Sequence, residues 1–281
     1  MLIKAKVIED SKHAYEGTRV TTLELTYPRF LHEQFLTHRV FSRNASSSRA
    51  IPVERMISKV EENPVIPEVW GKNKSGMQPD EPLDDKTQAK ATAVWKEAMA
   101  FAVKQSREMA KLGVHKQWAN RLTEPYQHIK VLVTSTEWGN FFHLRDHEDA
   151  QYEIQLLAKA IKEALNASKP KLLLHGEWHL PYVTQEERER FIEDPETLCK
   201  LSSARCARVS YNNFDGTSAS VEKDLELFEK LAGSNPIHAS ALEHPCRSAV
   251  FSDTRNYLPT NFKNFLQFRR IVERELLNND L

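Results

Sequence analysis

The chain is poor in the residues that build cross-links and metal cages. It has three cysteines, Cys199, Cys206 and Cys246, in 281 residues. That odd, sparse set contains no CxxC pair, which excludes a disulfide framework and a cysteine-based zinc site. Neither Cys206 nor Cys246 sits in a cysteine-activating pattern, so buried packing roles are expected for them. A charge surplus is also missing, because Lys plus Arg and Asp plus Glu both number 39. A general nucleic-acid binder carries an electrostatic excess, so no nucleic-acid partner is expected, although a local basic pocket for one phosphate stays compatible with neutrality. No apolar run approaches a membrane span. The opening MLIKAK alternates like a strand and lacks the apolar core of a signal peptide. A cytoplasmic protein with no membrane partner is expected. Residues 71–76 have the glycine spacing of a P-loop without its Lys-Ser/Thr pair, and no GxGxxG occurs. His175 and His179 flank Glu177 outside the HExxH order, and Gly176 and Pro181 break the helix that a metal pair would need. Loop or packing roles follow for both histidines. Low-complexity tracts and short repeats are absent.

What is present is a globular composition, 40% hydrophobic and 28% charged. Residues 2–8 and 18–27 read as a hairpin around a polar turn at 11–17. A short helix is expected over 30–40, with Leu31 and Phe35 on one side and Gln34 and His38 on another. A serine-rich loop at 42–49 and a surface excursion at 64–82 follow. The next helix, 88–112, would bury Val94, Ala98, Phe101 and Ala102 and stop at Gly113. An apolar β-branched run at 129–133 precedes a helix over 140–165 carrying Ile154, Leu157, Ala158, Ile161 and Leu165. Val221, Leu225, Phe228 and Leu231 are in phase on a later helix, and 262–277 is helical in pattern. The class is α+β, read as a single domain over 1–281.

The most informative segment is 34–49, QFLTHRVFSRNASSSR. It gathers His38, Arg39, Arg43 and Arg49 around a hydroxyl-rich loop. Hydroxyls, free backbone N–H groups and guanidinium forks are what a phosphate monoester needs. A solvated serine loop with ordinary surface arginines is the plain alternative on composition alone. The segment resembles the signature of flavin-dependent thymidylate synthases, Arg-His-Arg, then Ser, then a terminal Gly-Arg. His38, Arg39, Ser42, Asn44, Ser47 and Arg49 match in order and spacing. Thr37, Ala45 and Ser48 depart from it, replacing an arginine, an acid and a glycine.

Further segments are similar to the same family. Residues 140–155, NFFHLRDHEDAQYEIQ, resemble its Asn-x-x-x-Leu-Arg and Ala-Gln-x-Glu-Ile stretch. The resemblance implies that Arg145 meets the uracil edge and Asn140 the flavin. A fixed cation beside an ionisable N–H favours the anion, and electron density in the ring makes C5 nucleophilic. A surface ion cluster of Arg145 with Asp146 and Glu148 is the alternative. Residues 120–125, NRLTEP, resemble a phosphate-binding Ala-Arg-x-x-x-Pro segment and place Arg121, while Thr134 and Thr136 fall near a flavin-contacting strand end. The last match is out of order. Residues 203–211, SARCARVSY, and 236–244, PIHASALEH, resemble segments that precede the His-Arg motif in the family. Chance similarity in a helical extension competes with a rearranged relative, in which a helical block at 197–250 has moved to the C-terminus behind the first part, 1–165. Such moves are tolerated where chain ends lie close together on the surface.

The resemblance therefore implies a mixed sheet with long helices, assembled as a homotetramer with sites built from several subunits. FAD would meet His38, Arg39, Val40, Asn44, Thr134, Thr136, Asn140, Ser210 and His244. A dUMP-type nucleotide would meet Gln34, Thr37, Ser46, Ser47, Ser48, Arg49 and Arg121, with Arg145 catalytic and no metal. NADPH and methylenetetrahydrofolate would be co-substrates. Two rivals stay open: a same-fold hydroxymethylase acting on dUMP or dCMP, and a non-catalytic nucleotide- or nucleic-acid-binding protein.

Overall fold

β-Branched and threonine-rich alternation makes the N-terminal hairpin. Strands β1 (Lys4–His13) and β2 (Arg19–Pro28) pair antiparallel, with a bulge between Val7 and Glu9. The computed structural model describes all residues except 77, 80, 212–219, 235, 250–256, 258–259 and 280–281, and the side chains of 210, 211 and 277–279 also lie outside it. β1 runs five residues beyond the expected end at 8. Its polar residues Ser11 and His13 are fully buried, and Ser11 pairs both with Val20 and, in parallel register, with Lys171 of β5 (Lys171–Leu173). The turn is correspondingly tight, with Gly17 at φ +68°.

Strand β4 (His128–Ser135) pairs with β2 and with β3 (Ser42–Ala45), giving the order β3-β4-β2-β1-β5. The sheet is mixed because β5 alone runs parallel to its neighbour. The expected loop at 42–49 thus begins as a strand: Ser42 and Asn44 turn inward and are buried, in register with Thr134 and Leu132.

One face of the sheet packs on α1 (His32–Leu36), α5 (Gly139–Arg145) and α6 (Tyr152–Ala167), through Leu23, Leu25, Phe35, Phe141, Ile154 and Leu157. The helix expected over 30–40 is a 3₁₀ turn (Arg29–Leu31) followed by α1, and it stops at Leu36. The Thr37 hydroxyl donates to the Gln34 carbonyl, and the backbone then turns at His38 into β3. The helix expected over 140–165 is broken in two. At 146–151 the His147 ring accepts from the Asp149 N–H, which diverts the backbone from helix.

The opposite face receives α8 (Pro195–Tyr211), whose Cys206 and Val209 meet Leu132. Behind it lie α9 (Val221–Ala232) and a small antiparallel sheet of β6 (Trp178–His179), β7 (Cys246–Ser248) and β8 (Phe265–Gln267). The tail expected to be helical over 262–277 starts as β8, with three consecutive buried residues, before α10 (Phe268–Asn279).

Helix α2 (Val53–Glu62) was not read from the sequence; it packs with the long α3 (Asp85–Lys111). On α3 the apolar stripe is rotated from expectation. Trp95, Met99, Ala102 and Val103 face inward, while Val94 and Phe101 are 66% and 64% exposed. Trp95 carries the larger apolar area, and its indole N–H finds the Val65 carbonyl at 2.9 Å. Gly113 ends the helix at φ +78°. Among the described residues no helix is long and apolar enough to cross a membrane, no group of His, Cys, Asp or Glu is arranged to hold a metal, and all three cysteines are buried and free.

Candidate active site

The turn after α1 and the last residue of α5 come together. Arg145 donates from Nε to His38 Nε2 at 3.2 Å, and from Nη2 to Thr37 Oγ1 at 3.2 Å and the Gln34 carbonyl at 3.4 Å. His38 is buried, stacked on Phe41 and edge-on to Phe141. Burial first, then Arg145 and Arg43, push the imidazole pKa down to about 4. The ring is neutral at pH 7, and its acceptor role at Nε2 puts the proton on Nδ1. All three partners of Arg145 are neutral, and among the described residues no carboxylate pairs with it; Asp146 turns instead to Lys162 at 2.8 Å. A surface ion cluster around Arg145 is therefore not what forms.

Arg43 has a different job from the one its place in the motif implied. It donates to the carbonyls of Phe35, Leu36 and His38, closing the end of α1. A cation just past a helix end is the signal that pointed there.

The Thr37–His38–Arg145 contact separates two clefts. On one side is a space of about 550 Å³ that gathers Thr37, His38, Arg39, Val40, Thr136 and Asn140. Its apolar walls are Phe41, Trp138 and Phe141, with Phe41 and Trp138 ring centroids 4.6 Å apart. On the other side is a broader cleft of about 980 Å³ reached by Gln34 and Arg145. Gln34 is fixed there by Gln151 at 2.6 Å, itself bound to the buried Glu153.

The expected phosphate ligands lie elsewhere in the single chain. The Ser46 Oγ accepts from Lys130 N–H and is committed to β4. Ser48 donates to Glu124 at 3.1 Å, and Arg121 stands 3.5 Å from the same carboxylate. Arg49 is exposed. Ser47, Ser48, Arg49 and Arg121 line neither cleft beside Arg145. Glu124, which also pairs with Arg29 at 3.3 Å, was not singled out from sequence.

The C-terminal block meets β3 and β4. Asn44 donates to the Cys206 carbonyl at 3.3 Å, so its amide is turned to α8 and away from the clefts. His244, just after a 3₁₀ turn (Ala239–Glu243) packed on β3, is hydrogen-bonded to Thr134 at 2.8 Å. Thr134 is the register partner of Ser42. From there a fully buried chain continues through Thr22 (2.7 Å) and His179 (2.8 Å) to Ser11 (2.9 Å). Its far end, His244 Nε2, has no partner among the described residues. The side chain of Ser210 lies outside the described residues.

Residues 8–171 match the family described as thymidylate synthase complementing protein, Thy1. Over 134 residues the chain is 32% identical to the flavin-dependent thymidylate synthase of Pyrococcus abyssi, covering 47% of this chain and 48% of that protein. The chain thus spans about half the length of this curated relative. A crystal structure of the UMP/dUMP methylase PolB from Streptomyces cacaoi, bound with 5-Br UMP, resembles it with a TM-score of 0.49 at 14% identity, covering 58% of this chain and 88% of that one. The family match takes in most of the hairpin, the segment from His38 to Arg49 and the Arg145 motif, and it ends before the C-terminal block. With more than half of its residues inside that match, the chain belongs to the Thy1 family of flavin-dependent thymidylate synthases.

Proposed function

We propose that the chain transfers a one-carbon unit from methylenetetrahydrofolate to C5 of dUMP, forming dTMP with FAD as cofactor and NADPH as reductant. The observation that carries this reading is Arg145: a guanidinium anchored by three neutral acceptors, with its charge uncompensated, at the partition between two clefts. An anion formed at a pyrimidine N3 is what such a cation stabilises. The neutral His38 supports this, because it orients the fork without competing for the ligand's charge.

The 550 Å³ cleft suits an isoalloxazine ring, with aromatic walls and polar edges at Arg39, Thr136 and Asn140. The flavin, when bound, supplies the redox chemistry that converts the transferred carbon to a methyl group. The chain's own residues would orient the ligands and exclude water: Phe41, Trp138 and Phe141 would wall the ring, Arg39 and Asn140 would hold its polar rim, and Gln34 and Thr37 position Arg145. The phosphate ligands Ser47, Arg49 and Arg121 would reach a nucleotide held by a neighbouring copy, which is the reason to propose a homotetramer. The C-terminal block would act with the N-terminal part as one catalytic unit, a reading supported by its seating on β3 and β4. The test is an absorbance spectrum of the purified protein with and without dUMP, followed by mass measurement of the products from dUMP and dCMP. A flavin spectrum perturbed by dUMP and a methylated uracil product are expected. A colourless protein that binds no flavin would end the proposal.

A further inference from the structure

We infer that the cavity between α2 and the edge of β3 and β4 is a second anion site, one that takes a nucleotide by its phosphates. The space measures about 280 Å³ and is lined by five cations, Arg29, Arg55, Lys59, Lys130 and Arg208, against one carboxylate, the exposed Glu62. Three of the cations are already neutralised: Arg29 by Glu124 at 3.3 Å, Lys130 by Glu24 at 3.1 Å, and Arg208 by Asp224 at 2.7 Å. Arg55 and Lys59 have no such partner among the described residues. They stand four apart on α2, where like charges on one helical face repel. The ammonium of Lys59 is held below the ordinary lysine range by the protein packed around it, then by Arg55 and Lys130. A phosphate between these groups would turn that repulsion into charge-assisted hydrogen bonds.

One more feature specifies an organic ligand over a bare ion. Part of the wall is apolar and buried, formed by Ile51, Met56, Val60 and Ile129. A nucleotide meets both halves of the cavity, with a flat base for the apolar wall and phosphate oxygens for the cations. The cavity shares no lining residue with the clefts around Arg145. The inference thus goes beyond the reaction proposed above and does not require it.

The test is calorimetric titration of ADP into the full chain, with adenosine as the uncharged control. Saturable ADP binding is expected, weakened about tenfold by Arg55→Gln or Lys59→Gln and further by the pair. Adenosine should bind far more weakly, and Arg145→Ala should leave ADP affinity unchanged. The site is disproved by absence of saturable ADP binding, by adenosine binding as tightly as ADP, or by unchanged affinity in Arg55→Gln, whose exposed position leaves the fold intact. Loss of ADP binding in Arg145→Ala with Arg55→Gln unaffected would equally overturn it, by moving the ligand to the other clefts.

Discussion

Arg145 and Lys162 show how one residue type of charge can serve two ends within a short stretch of chain. Lys162 is matched to the carboxylate of Asp146 on the surface, a pairing worth little in water. Arg145 is matched to an imidazole nitrogen, a hydroxyl and a carbonyl, none of which cancels its charge. Geometry is thus fixed while the electrostatic work is left for a ligand. Arg145→Lys should expose this division, because an ammonium cannot reach three acceptors from a planar fork. With dUMP as substrate we expect kcat/KM to fall by about a hundredfold or more, with a thermal melt close to that of the parent protein. A variant retaining most of its activity would remove Arg145 from the pyrimidine. Thr37→Val tests the orienting role more gently, since it deletes one acceptor and keeps the shape. A drop on the order of tenfold in the same assay is expected, smaller than that of Arg145→Lys.

At the scale of elements, the C-terminal block is tied to the sheet by hydrogen bonds that run from strand to strand. His244, Thr134, Thr22, His179 and Ser11 belong to segments far apart in sequence, and all five are fully buried. Replacing Thr134 by valine keeps the volume but strands His244 Nδ1 and removes a partner of Thr22. A loss of about 1–3 kcal/mol in denaturant unfolding is expected, and an unchanged midpoint would show that the chain of bonds contributes nothing. Acid should undo the same seam. Burial holds both His179 and His244 near a pKa of about 3, below the value of an unfolded histidine near 6.5. Below that value the unfolded chain therefore binds more protons than the native one. The stabilisation from keeping these rings neutral is fully present above about pH 6.5 and declines as pH falls towards 3. Melts recorded from pH 7.5 to 4 should fall steadily below 6.5, and fall less in His179→Asn if that variant folds. Of this seam the sequence brought together only Thr134 and His244, as expected flavin contacts, while His179 read as a loop or packing residue. Leu31, Phe35 and the Ile154–Leu165 stripe were legible because each follows a local period. The long-range partners of His179 were not, because sequence spacing carries no information on which strands will lie side by side. Likewise the motif order marked His38, Arg39 and Asn140 as neighbours, and they line one cleft. It gave no sign that Asn44 would turn to Cys206 or that Glu124 would stand among the expected phosphate ligands.

For the whole molecule, the rotated stripe on α3 is the feature that a lone chain leaves unsatisfied. Val94, Ala98 and Phe101 fall at i, i+4 and i+7, the spacing of a face that packs, yet Val94 and Phe101 are 66% and 64% exposed and Leu112 near the end of the helix is 81% exposed. The face inward of them is already filled by Trp95, Met99 and Val103. Exposed apolar residues at this spacing mark an association surface more often than scattered single residues do. If Ser47, Arg49 and Arg121 bind phosphate as proposed, their separation from Arg145 asks for the same remedy, a second copy that brings them to a neighbour's cleft. If both needs are met by one assembly, breaking the helix face should lower activity without touching any residue of the cleft. Val94→Lys together with Phe101→Glu should shift the sedimentation of the protein to smaller species. Far-ultraviolet circular dichroism should be unchanged, because the substituted positions point to solvent in the single chain. Turnover of dUMP should fall with the loss of assembly and recover partly at high protein concentration, where mass action rebuilds the complex. A double variant that sediments like the parent would show that α3 faces water in the working protein. One that dissociates and keeps full turnover would show that each chain closes its own site.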